Sequence, residues 1–384
     1  MSTTTTELPA SADRHRGATA RARSRTRHRT LILVTTYPGQ PSCDELARQA
    51  EAGLRPRKDY VELARILGAD VVDASYLRER ATPLARIVAQ RVGPAAGQVV
   101  EALLRRGDYD HICAWAERIG LPLALTRKIA RRGGDLVLIS SWLSARRSSF
   151  MLRRLRVHTH LDRIVSYGSA QIEVATTRLG VPGEKLHLAL SPVDERFWRP
   201  QPAPAGRRIC AVGASGRDYR TLFSALGGSD LELDVAVGSG DRQARSLEDE
   251  LGREVPRPNA RIRNLSPTEL RELYASSRFV VIPLADVEYD AGVTALTEAM
   301  AMGKAVIVTR TRGQVDLVAD GVQGIYVPAG DARAMRGAIE HLVAHPEDAD
   351  RMGRAGRALV ERRHTLDAYT RRLAAIVRGD DLDA

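Results

Sequence analysis

Aromatic residues are scarce in this chain, at 4% of 384 positions. That weighs against a surface built to stack nucleic-acid bases. Cysteine is scarcer still: Cys43, Cys113 and Cys210 are odd in number and far apart. They suit neither a disulfide framework nor a zinc knuckle and read as small apolar residues of a reducing interior. No apolar run approaches the roughly 18 residues that a membrane-spanning helix needs, and the N-terminus has no apolar signal segment. Two histidines and a carboxylate in phase, His158, His160 and Asp162, lack a fourth ligand, so they read as ordinary surface and core residues and not as a metal site. Neither a helix-turn-helix nor a zinc pattern appears.

What is present is length, apolar content and positive charge. A chain of 384 residues with 43% hydrophobic content exceeds one typical domain and suits two. The net charge is +11, of which the first thirty residues supply +5, seven arginines against Glu7 and Asp13. Residues 1–29 carry no apolar periodicity and read as a disordered basic arm. The stretch Arg146 to Arg156 is also basic, with Phe150, Met151, Leu152 and Leu155 interleaved. As an amphipathic helix it would suit either a plain surface or an anionic bilayer.

From Thr30 onward short apolar runs alternate with helical patterns. Strands are expected at 30–36, 69–73, 108–114, 135–140 and 163–166, with helical segments between them, one breaking at Gly93-Pro94 and another beginning near Pro122. This is the pattern of a parallel α/β domain spanning residues 30–190. Ser191-Pro192-Val193-Asp194 closes it, and the proline-rich stretch Arg199–Arg208 reads as a linker. A second α/β domain, 191–365, has strands from Ile209, Leu233, Arg261, Phe279, Ala305 and Gly324. Ser266-Pro267-Thr268-Glu269 carries a serine cap, a proline at the first helical position and a glutamate three residues on. His364-Thr365 interrupts the last helical region, so residues 366–384 form a separate helix that can cross back to the first domain.

The chain is organised around Asp290 to Thr309, DAGVTALTEAMAMGKAVIVT. A buried strand, a glycine-containing loop, a helix and a second strand follow one another. In parallel sheets ligands sit beyond the carboxyl ends of the strands, beside helix N-termini. That place holds Asp290, Gly292, Val293 and Thr294, with Glu298 a turn deeper. Backbone N–H groups there suit an anion, and the two carboxylates suit sugar hydroxyls. Gly213-Ala214-Ser215-Gly216-Arg217 ends the first strand of the second domain. Its glycines admit close backbone approach and Arg217 offers a cationic fork for phosphate, unless Asp218 pairs with it. In the first domain Trp115, Glu117 and Arg118 follow a strand end and are the polar candidates there.

These motifs resemble the retaining GT-B glycosyltransferases of family 4. The resemblance spans about residues 30 to 378 and is strongest from 262 to 331. DAGVTALTE-AMAMGKAV follows the family's Glu, seven residues, Glu pattern with Asp290 at the first position and Ala305 in place of proline. SPVDERFWRP (191–200) is similar to the family's domain-closing segment, and GVQGIYVPAGD (321–331) looks like the segment that closes its nucleotide site. VGASGRDYRTLFSA (212–225) matches its first C-terminal loop, with Arg217 where a phosphate-binding lysine is common and Ala214 where a partner arginine is usual. The first domain departs further: TTYPGQPS lacks a double glycine, and the histidines common after its middle strands are absent.

The resemblance implies a GT-B fold, two Rossmann-like domains with parallel sheets facing each other across a cleft. It implies a retaining hexosyltransferase that uses a nucleoside-diphosphate sugar as co-substrate, with no other cofactor and no metal. Glu298 would hold the ribose and Asp290 the transferred hexose. Arg217, Gly213, Gly216, Gly292, Val293 and Thr294 would surround the diphosphate, and Arg217, Asp290 and Glu298 would carry the chemistry. The acceptor is a glycan, lipid or metabolite, met by the side bearing Trp115, Glu117 and Arg118. Nucleic acid is not expected as a partner. The location implied is cytoplasmic, with peripheral contact at an anionic inner membrane face as a further reading. Rival readings are a nucleotide-sugar epimerase or hydrolase of the same shape, a glycosyltransferase-like scaffold without activity, and a nucleic-acid binder driven by the basic arm.

Overall fold

The computed structural model describes residues 29–36, 40–129, 133–202, 208–237 and 259–380. Most of the basic arm, the centre of the first loop, the middle of the proline-rich linker, and Gly238 and Gly240 lie outside these residues. Twelve strands form two sheets. The first contains β1 (Thr30–Val34), β2 (Asp70–Val72), β3 (His111–Trp115), β4 (Asp135–Ser140), β5 (Arg163–Ser166) and β6 (Leu186–Leu188). The second contains β7 (Arg208–Val212), β8 (Glu232–Ala236), β9 (Ala260–Arg263), β10 (Phe279–Ile282), β11 (Ala305–Thr309) and β12 (Gly324–Val327). Every pairing is parallel. The orders are β2-β1-β3-β4-β5-β6 and β12-β11-β10-β7-β8-β9.

The near-continuous apolar strands follow from burial on both faces. Alternate residues of one strand enter different cores. Leu31, Leu33, Ile112, Ala114, Leu136 and Leu138 join the helices on one side of the first sheet, while Ile32, Val34, Cys113, Val137 and Ile139 face the other. That second core is completed by Tyr369, Leu373, Ile376 and Val377, so the last helix, Leu366–Arg378, packs on the first domain's sheet. The second sheet divides likewise: Cys210, Val212, Val280 and Ile282 on one face, Ile209, Ala211, Phe279 and Val281 on the other.

Local signals set several boundaries. Gly93-Pro94 separates the helices Pro83–Arg91 and Pro94–Arg105. Ser266 and Glu269 form the complete capping box of the helix Pro267–Ser276. Other boundaries differ from expectation: β1 ends at Val34 instead of Thr36, and the strand expected from Asp108 begins at His111, after a 3-10 turn at Arg106–Asp108. The helix after β3 runs Glu117–Ile129 with Pro122 inside it, instead of starting near Pro122. Pro122 lies only in the second turn, so its missing N–H removes little of the ladder, and Ile119, Leu121, Leu123 and Ala124 anchor the segment in the core. Among the described residues no group of His, Cys, Asp and Glu could hold a metal ion, and no helix is long and apolar enough to cross a membrane. The basic helix Arg146–Arg153 buries Ser148 and Leu152 and leaves Phe150 exposed.

Candidate active site

The order of the second sheet reverses between β7 and β10, which places the loops after these two strands side by side. An open parallel sheet has its ligand crevice at such a switch point. The two loops are stitched together: Asp218 N–H donates to Pro283 O (3.0 Å) and Ala285 N–H to Gly216 O (3.0 Å). Arg217 sits in this seam. Its guanidinium donates through Nε to Val212 O and through Nη1 to Ser215 O, each at 2.9 Å, leaving Nη2 without a partner among the described residues. Asp218 does not pair with it; that carboxylate caps the following helix through Thr221 N–H (3.1 Å) and the Thr221 hydroxyl (2.6 Å). Burial lowers the Arg217 pKa, and no carboxylate offsets the effect. A half-buried cation fixed by carbonyls and lacking a counter-ion is suited to an anionic ligand.

Two glycines make room for that cation. A side chain at Gly213 would begin 2.3 Å from Arg217 Nη2, and one at Gly292 would begin 2.9 Å from Ile282 and 3.5 Å from Arg217 Nη1. Gly292 has φ +80° and caps the helix Val293–Ala301 with no side-chain hydrogen bond. The Val293 N–H is taken up within the turn by Asp290 O (3.2 Å), whereas those of Thr294 and Ala295 have no backbone acceptor. The helix therefore presents free first-turn donors and its positive dipole end beside Arg217.

Glu298 lies one turn deeper. It accepts from the hydroxyl of fully buried Tyr274 (3.1 Å), which Trp198 holds edge-on at 5.6 Å. Burial pushes its pKa up to about 7, against the Tyr274 hydrogen bond and the charge of Lys58. Asp290 is pushed up to about 6, chiefly by burial and further by the charges of Asp316 and Glu117. Both carboxylates line an interdomain cavity of about 340 Å³ with Val293, Thr294 and Thr297. The first domain contributes Lys58, Asp59, Ser141 and Tyr167 to its opposite wall.

The structure thus brings Asp290, Val293, Thr294 and Glu298 together, with Gly213, Gly216, Gly292 and Arg217 behind them. It does not bring the expected first-domain trio to the cavity lining. Glu117 accepts from the Ser140 hydroxyl (2.6 Å) and the N–H groups of Ser141 (2.9 Å) and Trp142 (2.7 Å), shaping the turn after β4. Trp115 packs edge-on against Tyr60 at 6.1 Å, and Arg118 donates to the Thr35 hydroxyl at 3.2 Å. The carboxylate of Glu117 fills the turn because three donors converge on it, a demand set by a strand far away in sequence. Lys58, Asp59 and Tyr274 carry no motif. The only signal for Lys58 and Asp59 was their place at the start of an apolar-periodic helix.

The domains meet across this cavity. Ser169 donates from its N–H to Asp316 Oδ2 (2.7 Å) and from its hydroxyl to Oδ1 (2.6 Å), Gln171 donates to Glu288 O (2.7 Å), and Trp142 stacks on Tyr289 at 4.5 Å.

Comparison with known proteins bears on the domain and the fold. Residues 229–345 match the family model described as Glycosyl transferases group 1, so the chain carries a glycosyltransferase domain. A search of curated proteins finds no sequence match. Among solved structures, Anabaena HepE in complex with UDP and glucose aligns over 91% of this chain and 99% of its own, with TM-score 0.65 and 17% identity. Sucrose-phosphate synthase from Thermosynechococcus elongatus aligns over 92% and 98%, with TM-score 0.67 and 16% identity. The lipopolysaccharide outer core galactosyltransferase WaaB aligns over 91% and 99%, with TM-score 0.57 and 14% identity. At these identities the likeness establishes the fold, which is GT-B.

Proposed function

We propose that this enzyme is a retaining glycosyltransferase that moves a hexose from a nucleoside-diphosphate sugar to an acceptor hydroxyl. The observation that carries the reading is the unpaired Arg217 guanidinium, set between Gly213 and Gly292 beside the free N–H groups of Thr294 and Ala295. Departure of a nucleoside diphosphate builds negative charge on phosphate and oxocarbenium character on the sugar. Arg217 and the helix donors would take the first charge without a metal, and preorganised donors of this kind are worth on the order of 10²–10³ in rate. Glu298, one turn deeper, would accept from ribose hydroxyls, and Asp290, at the cavity, from the transferred hexose. In the retaining reaction the acceptor O–H attacks the anomeric carbon on the face the diphosphate leaves. The C–O bond to the diphosphate breaks as the new glycosidic bond forms, and the leaving phosphate oxygen takes the acceptor proton. The contacts of Ser169 with Asp316 and of Trp142 with Tyr289 would keep water from the cleft while this happens. A structural neighbour, Anabaena HepE, has been crystallised with UDP-glucose, which makes UDP-glucose the first donor to try.

The test is nucleoside-diphosphate release from UDP-, GDP-, ADP- and dTDP-sugars, with and without an acceptor extract. One donor should respond and its turnover should rise with extract. Glu298→Ala should weaken donor binding strongly, and Arg217→Ala should lower turnover roughly a hundredfold or more. Release from a donor that ignores every acceptor would favour a hydrolase or epimerase. Unchanged donor binding in the Glu298 variant would remove the assignment of the ribose site.

A further inference from the structure

We infer that the first-domain wall of the cavity is a subsite for a neutral polyhydroxyl acceptor, with the Asp59 carboxylate binding one of its hydroxyls opposite Asp290. The inference rests on the glycosyl-transfer reading above and names its acceptor class.

Asp59 opens the helix Asp59–Leu67 and lines the cavity. One carboxylate oxygen accepts the Tyr60 N–H at 2.9 Å, and the carboxylate also takes up the N–H of Asp59 itself. Burial raises its pKa, and the charge of adjacent Lys58 offsets this only in part. Lys58 precedes it at the cap position, where its side chain makes no capping bond and a cation opposes the helix dipole. A half-buried carboxylate held by local backbone donors and an unfavourably placed cation share this wall, and local rules broken together are characteristic of sites kept for a ligand.

The neighbours define the chemistry. The Tyr167 oxygen accepts from the Tyr369 hydroxyl (3.4 Å) and from the side chain of Trp115, which leaves its own proton to donate. It lines the same cavity as Asp59 and Asp290. Ser141 adds a hydroxyl to the same wall. A carboxylate acceptor, a phenol donor and a hydroxyl match a sugar or polyol, in which every position both donates and accepts. An anionic acceptor fits less well. Arg57 is already engaged by Asp194 and Asp367, which leaves exposed Lys58, next in sequence to Asp59, as the other cation of this wall. A lipid tail would find Pro56 as the apolar residue of this wall. In the transfer, Asp59 holds a hydroxyl next to the reacting one, whose proton leaves on the diphosphate.

The experiment uses the full chain and the donor that responds in the panel, with UDP-glucose first. Nucleotide release is measured alone, with glucose, maltose or glycerol, with glucose 6-phosphate, and with detergent-dispersed diacylglycerol. A neutral polyol should stimulate release. Asp59→Ala should raise the KM for that polyol roughly tenfold or more, as expected for losing a hydrogen bond to a charged group. Nucleotide affinity by calorimetry, which reads the second-domain groups, should fall far less than the acceptor KM rises. Tyr167→Phe should raise the same KM, giving a second readout if the Asp59 variant folds poorly. Stimulation by glucose 6-phosphate or diacylglycerol but by no neutral polyol would overturn the inference, as would an Asp59→Ala variant with an unchanged acceptor KM. Absence of nucleotide binding by the parent protein would instead overturn the glycosyl-transfer reading beneath it.

Discussion

Glu298 shows how far one side chain can be read physically. It sits in a mostly apolar helix, one position before Ala299-Met300-Ala301, all fully buried. Its pKa of about 7 stands above the ordinary carboxylate value of 4.5 because burial disfavours the charge. A raised folded-state value means that the folded protein holds this proton more tightly than the unfolded chain. The stability contributed by the protonated form is therefore fully present below about pH 4.5 and is lost as pH rises through about 7. The difference corresponds to roughly 3 kcal/mol between the two forms. Glu298→Gln should accordingly raise the melting temperature at pH 8, and the gain should vanish below pH 4.5. On the proposed ribose role the ionised form is the stronger acceptor, so donor affinity of the parent should fall as pH drops through 7, whereas the Gln variant should be weak throughout. Melting curves and nucleotide titrations at pH 4, 6 and 8 measure both effects; equal melting temperatures at pH 8 would show that the buried charge is compensated by groups other than Tyr274 and Lys58.

At the scale of the element, the helix Val293–Ala301 is placed by the glycine before it. Gly292 is left-handed, and a Cβ there would meet Ile282 at 2.9 Å and Leu284 at 3.0 Å. Both obstacles are buried side chains of β10 and the residues just after it. Gly292→Ala should therefore destabilise the fold by about 1–3 kcal/mol and weaken diphosphate binding more than binding of the bare nucleoside, because the Thr294 and Ala295 donors would shift against Arg217. Comparing UDP with uridine by calorimetry isolates that term, and an equal loss for both would sink the argument. Elements of this kind were legible in the sequence because their signals are local: a capping box, a Gly-Pro break, an apolar strand ending in glycine. The helix at Glu117 was placed too late because Pro122 is a local signal that tertiary packing overrides. The first-domain wall of the cavity was illegible for a related reason. Nothing near Lys58 and Asp59 in sequence reveals that the turn before the helix Asp59–Leu67 faces Glu298, some 240 residues away.

The whole molecule depends on a small crossover that joins both domains to that turn. The chain passes between domains at Ser191–Glu195 and returns at His364–Asp367. The two passages pair, with Val193 N–H donating to His364 O (2.9 Å) and Leu366 N–H to Val193 O (3.0 Å). Arg57 binds both passages from the first domain. Its backbone N–H (2.8 Å), Nε (3.0 Å) and Nη2 (2.7 Å) reach Asp194, and Nη1 reaches Asp367 at 2.6 Å. The Asp194 side chain is 4% exposed, so removing Arg57 strands a carboxylate in the interior. Loss of one partner from a buried pair costs about 3–5 kcal/mol. Arg57 also immediately precedes Lys58 and Asp59, so its clamp fixes the first-domain wall of the cavity as well as the crossover. Arg57→Ala should thus lower stability by that amount and reduce acceptor-stimulated turnover, while nucleotide affinity, on the proposal that Arg217, Glu298 and the helix donors of the second domain supply it, should change little. Arg57→Lys keeps the charge but loses the fork that spans Asp194 and Asp367, and should recover part of the stability without restoring turnover. Thermal unfolding with parallel nucleotide titration separates the two effects. A variant that loses nucleotide affinity as fast as turnover would mean that the crossover supports the donor site itself, and that the two domains act on nucleotide as one body.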